Sequence, residues 1–234
     1  MDDNQEKLTE FEIKQIARRF ETSDVEEILQ WAVDRFGTGL VMTSNFGVEG
    51  IVVMDKLARI APQTPIIYLS TGYQFPETDR LKDRLRDLYD LNIVEHRAEL
   101  SVEQQNQVFG EKLFVRNPDQ CCHLRKVEPL QKALKGSEAW IAALRRDQSP
   151  TRATIGIVEW NAKHQLVKIN PLATWSRRDV WDYVVRHNLP YNTLYDEGYT
   201  SIGCVPCTRR VMPGAHERSG RWDGQQKLEC GIHL

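Results

Sequence analysis

The chain has 234 residues, a formal net charge of -2 and 41% hydrophobic residues. That length suits a single α/β domain with a full core, and the near-neutral balance argues against a general nucleic-acid binder, which is normally basic. No apolar run approaches membrane-spanning length, and the acidic opening Met1-Asp2-Asp3-Asn4-Gln5-Glu6 is no signal peptide, so a cytoplasmic protein without a membrane partner is expected.

Residues 9–20 have helical periodicity through Phe11, Ile16, Ala17 and Phe20. A second helix is expected from Ser23, capped by a Ser23/Glu26 box, with Gly37 closing it. Both should cover one side of a sheet. Gly39 to Thr43 reads as the first central strand and runs into Ser44-Asn45-Phe46-Gly47-Val48-Glu49-Gly50, then a helix through Ile51, Val52, Leu57 and Ile60. A strand, a Ser/Gly loop and a helix N-terminus make an anion-binding turn, although the Walker ending is missing. An ordinary strand–helix turn is the competing reading of that loop. Further strands are expected at 65–69 and 91–96, with a helix over 76–89 between them and a Ser101/Gln104 cap after them. This alternation predicts a doubly wound, mostly parallel sheet with ligands at the carboxyl ends of its strands.

Cys121-Cys122 should lie near the start of a helix that continues to about Leu134. Trp140 to Leu144 reads as a buried strand emptying into the basic loop Arg145 to Arg152, where arginines suit phosphate or sulfate. A hairpin over 154–170 and a helix over 176–187 follow, then a loop-rich stretch that delivers Cys204 and Cys207 at C-x-x-C spacing. Two cysteine pairs suggest a metal centre. Zinc and an iron–sulfur cluster both take four thiolates, and spacing alone does not choose between them. The fifth thiol, Cys230, stands in a polar tail that is poor core material. One domain is expected over 1–234, with N-terminal helices to 37, a core over 38–210 and a mobile tail over 211–234.

Taken together, Cys121-Cys122, Arg145-Arg146-Asp147-Gln148-Ser149, Pro190-Tyr191-Asn192, Ser201 to Arg209 and Glu229-Cys230-Gly231-Ile232-His233 resemble the assimilatory adenylyl-sulfate (APS) reductases, relatives of the phosphoadenylyl-sulfate (PAPS) reductases. The resemblance implies an adenine-nucleotide α-hydrolase-like fold with a loop-rich C-terminal tail. It implies a [4Fe-4S] cluster on Cys121, Cys122, Cys204 and Cys207, with Ser44 and Gly47 in the nucleotide loop. Lys126, Arg152, Arg218 and Arg221 match positions facing the phosphosulfate, and Arg145 joins them as an expected substrate contact. Cys230 is the implied nucleophile, with thioredoxin or glutaredoxin as electron donor, and a homo-oligomer is left open. The chain departs from the family at Ser70, where an aspartate is usual, and at Tyr195, where a histidine is common. A PAPS or dual-specificity reductase, an ATP-using adenylating enzyme of the same fold and a non-catalytic metal-binding regulator are the alternatives. The adenylating reading lacks its usual Ser-Gly-Gly-x-Asp-Ser loop, and the regulator leaves Cys230 and the arginines without a task.

Overall fold

Short apolar runs supply six strands: β1 (Leu40–Thr43), β2 (Ile66–Ser70), β3 (Ile93–Arg97), β4 (Ala139–Ala142), β5 (Val158–Asn161) and β6 (Leu166–Ile169). In this computed structural model, which describes residues 7–233, they form one sheet in the order β3-β2-β1-β4-β6-β5. The acidic opening Met1 to Glu6 lies outside the described residues. All neighbours pair in parallel except β5 and β6, the expected hairpin. The chain leaves β1 toward β2 on one side and reaches β4 on the other, so the carboxyl ends of β1 and β4 face a topological switch point, where ligands of such sheets bind.

Alternation along the strands makes two apolar faces. Leu40, Met42, Ile66, Tyr68, Ala139 and Ile141 point to the larger core. It is completed by α1 (Glu10–Phe20), α2 (Val25–Phe36), α3 (Val48–Ile60), α4 (Pro76–Tyr89) and, further along the chain, by residues 180–184 of the last long helix. Val41, Ile67, Trp140 and Ala142 point the other way and meet Leu130, Leu134 and Ile232. That second face is therefore finished partly by the tail.

Between β3 and β4 come α5 (Val102–Phe109), α6 (Leu113–Arg116), α7 (Pro118–Cys122), a wide π-helical turn (His123–Val127) and α8 (Glu128–Ala133); α9 (Arg177–Arg186) follows the hairpin. The helix starts follow local chemistry: capping boxes form at Thr9/Glu12, Ser101/Gln104 and Ser176/Asp179. The box expected at Ser23/Glu26 does not. The N-cap is Asp24, without a side-chain bond, and Glu26 instead pairs with buried Lys56 of α3, so a tertiary ion pair has taken the capping carboxylate. No helix among the described residues is long and apolar enough to cross a membrane.

Candidate active site

The loops leaving β1, β2 and β4 enclose one cleft, and the C-x-x-C loop and the tail close it. Ser44, Gly47, Lys126, Arg152, Arg218, Arg221 and Cys230 all line it, which unites the expected loop, cations and nucleophile from across the chain.

The Ser/Gly loop is shaped by its own polar groups. Ser44 Oγ accepts from Phe46 N at 2.9 Å, and Asn45 Oδ1 accepts from Gly47 N at 3.4 Å. Phe46 has φ 58°, an uncommon left-handed conformation for a bulky residue, held by burial of its ring against Tyr68. Gly50 leaves room for this Ser44 rotamer, because a Cβ would lie 2.5 Å from Ser44 Oγ. Asn45 Nδ2 donates to Ile202 O at 3.1 Å and so ties this loop to the C-x-x-C loop. Tyr195 comes over the start of α3, where its hydroxyl accepts from Val48 N at 3.5 Å. Ser70, between Leu69 and Thr71 of the cleft lining, bonds Glu95 on β3 through its hydroxyl.

Cys121, Cys122, Cys204 and Cys207 line a second, adjoining cavity together with Tyr73, Phe114 and Arg125. Cys121 and Cys122 close α7, while Cys204 precedes and Cys207 ends a single 3-10 turn, Val205–Cys207. The wide turn after α7 precedes Pro129, which has no N–H to offer the carbonyl of Arg125, and it carries Arg125 into the thiol-lined cavity and Lys126 to the boundary between the two. Thr71 Oγ1 lies 3.3 Å from Cys204 Sγ. Burial, then repulsion among the thiols, pushes Cys121 up to about 12 and Cys207 up to about 11; burial also raises Cys122. Cys204 goes the other way: burial opposes ionisation, but Lys126, then Thr71 and Arg221, lower it. Lys126 is likewise held above its ordinary range by Cys204, Cys230 and Cys122 against the effect of burial.

The donor set can be tested against an iron–sulfur cube. Among the described residues no group of three or more His, Cys, Asp or Glu could hold a single metal ion, yet all four thiols face one cavity. Arg125 is buried, donates Nε to Gln105 Oε1 at 2.9 Å, and leaves Nη2 without a partner in that cavity's wall. A thiol-lined space with an unsatisfied guanidinium and Lys126 at its edge suits a bulky anionic group.

Two of the expected positions behave differently from their reading as substrate contacts or mobile tail. Arg145 is 0% exposed and pairs with Glu49 at 3.0 Å, with Glu217 at 2.6 Å and with Asp147. Buried and enclosed by three carboxylates, Arg145 ties α3 to the tail, and it does not line the cleft where it was expected to meet substrate. The tail is docked: Glu229 is buried, Lys163 Nζ donates to Gly231 O at 3.0 Å, and His233 stacks on Trp140 with ring centroids 5.3 Å apart. Buried partners distant in sequence supply what tail composition does not reveal. Arg125, Thr71 and Glu229 were missed as site residues; each sits inside or beside a quoted motif, but none is unusual in local composition.

Comparison with known proteins agrees with this geometry. The chain is 49% identical over 224 residues to phosphoadenosine 5'-phosphosulfate reductase of Gloeobacter violaceus, covering 94% of this chain and 93% of that protein. It is 44% identical over 215 residues to adenosine 5'-phosphosulfate reductase of Geobacillus thermodenitrificans, covering 92% of each. Its fold resembles the crystal structure of phosphoadenylyl-sulfate (PAPS) reductase from Candida auris, with a TM-score of 0.78 at 29% identity, covering 88% of this chain and 99% of that one. The profile of the phosphoadenosine phosphosulfate reductase domain matches residues 39–210, from the first strand through the C-x-x-C loop, and the chain belongs to that family.

Proposed function

We propose that this chain reduces adenylyl sulfate to sulfite and AMP with electrons from a dithiol protein, thioredoxin or glutaredoxin, as a step of sulfate assimilation. The observation that carries the reading is the shared cleft: Cys230 faces Lys126 and Arg221 beside the Ser44–Gly47 loop. The relatives named APS reductase, at 40–44% identity over most of the chain, support the substrate.

In this reading the Ser44–Gly47 loop and the start of α3 take the nucleotide end, while cations of the cleft, Lys126 and Arg221 foremost, take the phosphosulfate. The Cys230 thiolate attacks the sulfuryl sulfur. A sulfur–sulfur bond forms, the sulfur–oxygen bond to the phosphate breaks, and AMP leaves with the electron pair. A donor thiolate then attacks Cys230 Sγ and releases sulfite. The donor's second thiol resolves the mixed disulfide, supplies the proton to Cys230 and leaves the donor oxidised. Cys121, Cys122, Cys204 and Cys207 would hold a [4Fe-4S] cluster, which when bound supplies fixed negative charge against Lys126 and joins the two cysteine pairs into one wall. Five unpaired thiols fit a reducing, cytoplasmic setting. The test is to give anaerobically purified protein APS and reduced thioredoxin. Sulfite and AMP in equal amounts are expected, and absence of sulfite refutes the proposal.

A further inference from the structure

A carboxylate of the tail fills what would otherwise be an anion-binding cradle. Glu229 is buried, one residue before Cys230. Its Oε1 accepts from Ser149 Oγ at 3.2 Å, Thr151 Oγ1 at 3.0 Å and Arg152 Nε at 2.9 Å. Its Oε2 accepts from Arg152 Nη2 at 2.8 Å and Arg218 Nη2 at 3.2 Å. Two further contacts hold these arginines: Arg152 Nη1 donates to Gln148 Oε1 at 2.5 Å, and Arg218 Nη2 also donates to Leu228 O at 3.0 Å. Although burial opposes ionisation, Arg152 and Arg218 keep the Glu229 carboxyl below its ordinary range. Lys126 and Arg221, in the same cleft, have no carboxylate partner among the described residues.

The four cations thus divide into two pairs, one engaged and one open. Charge balance favours keeping that division with substrate present. APS carries one charge on its phosphoryl group and one on its sulfuryl group, and it calls for cations that no carboxylate already occupies, as Lys126 and Arg221 are. Displacing Glu229 would instead strand a buried carboxylate without its partners. After Cys230, the tail is held separately by Lys163 on Gly231 O and by His233 on Trp140. Glu229 is the anchor immediately before the nucleophile.

We infer that Glu229 is a positioning residue that latches the tail: its carboxylate docks in the cradle of Ser149, Thr151, Arg152 and Arg218 and sets Cys230 over the cleft, leaving Lys126 and Arg221 to receive the anionic end of the substrate. This rests on the reading of Cys230 as the nucleophile, and its test reads the tail independently of turnover.

The test compares wild-type protein, Glu229→Gln, Arg152→Gln and the double variant, each anaerobic and with iron content checked. Three quantities are measured: the rate at which iodoacetamide alkylates Cys230, located by peptide mass, the affinity for AMP, and kcat and KM for APS. Glu229→Gln should speed alkylation and lower kcat, each by about tenfold or more, since a buried charge-assisted network is broken. AMP affinity and KM should stay within about twofold, because the open pair of cations is untouched. The double variant should be no worse than the worse single one, as expected of residues acting as a unit. Wild-type alkylation in Glu229→Gln overturns the latch. So does a loss of AMP affinity as large as the loss of kcat, or full additivity with Arg152→Gln. Fast alkylation in Glu229→Gln, with no APS turnover in any form, keeps the latch and sinks the reductase reading. If Glu229→Gln does not fold, Ser149→Ala deletes one donor and keeps both charges; no rise in its alkylation rate overturns the inference.

Discussion

Gly203 offers a way to move one cation of the cleft, Arg221, without substituting it. A Cβ at this position would stand 2.2 Å from Arg221 Nη2, 2.6 Å from Cζ and 2.9 Å from Nη1, so Gly203→Ala must push the guanidinium aside. Arg221 is otherwise held by weak contacts: Nε to Cys207 O at 3.3 Å, Nη1 to Ser201 Oγ at 3.4 Å, and the Trp222 ring at 4.6 Å. Nothing strong resists the displacement. If Arg221 grips the anionic end of the substrate, moving it forfeits one charge-assisted hydrogen bond, about 1.5–3 kcal/mol, or roughly tenfold to over a hundredfold in affinity. The assay is calorimetric binding of adenosine 5'-diphosphate, whose terminal phosphate stands in for the sulfuryl group, to Gly203→Ala, Arg221→Ala and the double variant. Gly203→Ala should weaken binding by that factor, and Arg221→Ala should then add less than about twofold. Unchanged affinity, or two fully additive losses, refutes the reasoning. Loss of iron in Gly203→Ala refutes it too, since the wedge would then have moved Cys204 and not Arg221.

Three further outcomes are expected. Anaerobic protein should be brown with roughly four irons and matching acid-labile sulfide, and Ser at Cys121, Cys122, Cys204 or Cys207 should lose cluster and turnover together; stoichiometric zinc in an active, colourless preparation would contradict this. Cys230→Ser should abolish sulfite release yet keep iron content and AMP affinity, and wild-type protein given APS without reductant should carry one sulfonate on the Cys230 peptide by mass spectrometry. APS should exceed PAPS in kcat/KM with the same thioredoxin, because the four lining cations are already assigned while Glu49 and Glu217 face the same cleft; equal or higher values for PAPS would overturn the specificity and leave the reaction type standing.

Periodicity made the strands, the Pro76–Tyr89 helix and the hairpin legible, because each is dictated by neighbours a few residues away. The gathering of the cysteines was legible as well, with four lining one cavity and Cys230 the adjoining cleft, since two pairs and a spare thiol in a polar tail are poor core material. What escaped depends on partners far along the chain. Glu26 has the spacing of a capping box but is drawn off by Lys56, thirty positions on. Arg145 has the look of a solvated loop cation, and only the arrival of Glu49 and Glu217, from opposite ends of the chain, turns it into a buried tie. The tail is polar in composition, yet Glu229 finds Arg152 across 77 positions and Ile232 joins the second core. Patterning reports which faces are apolar; it does not report which buried charges meet.

The wide turn at His123–Val127 has a consequence for how this centre tolerates change. Each residue of a regular helix rotates its successor by about 100° about the axis, so removing one residue from this turn would swing α7 by that angle relative to α8. Every residue type needed for the centre would survive. The thiols of Cys121 and Cys122, however, would point away from Cys204 and Cys207, and Lys126 would leave the boundary between the two cavities. The centre is thus written in the count of residues between Cys122 and Pro129 as firmly as in their identities, and this segment should accept many substitutions at its exposed positions before it accepts a single deletion.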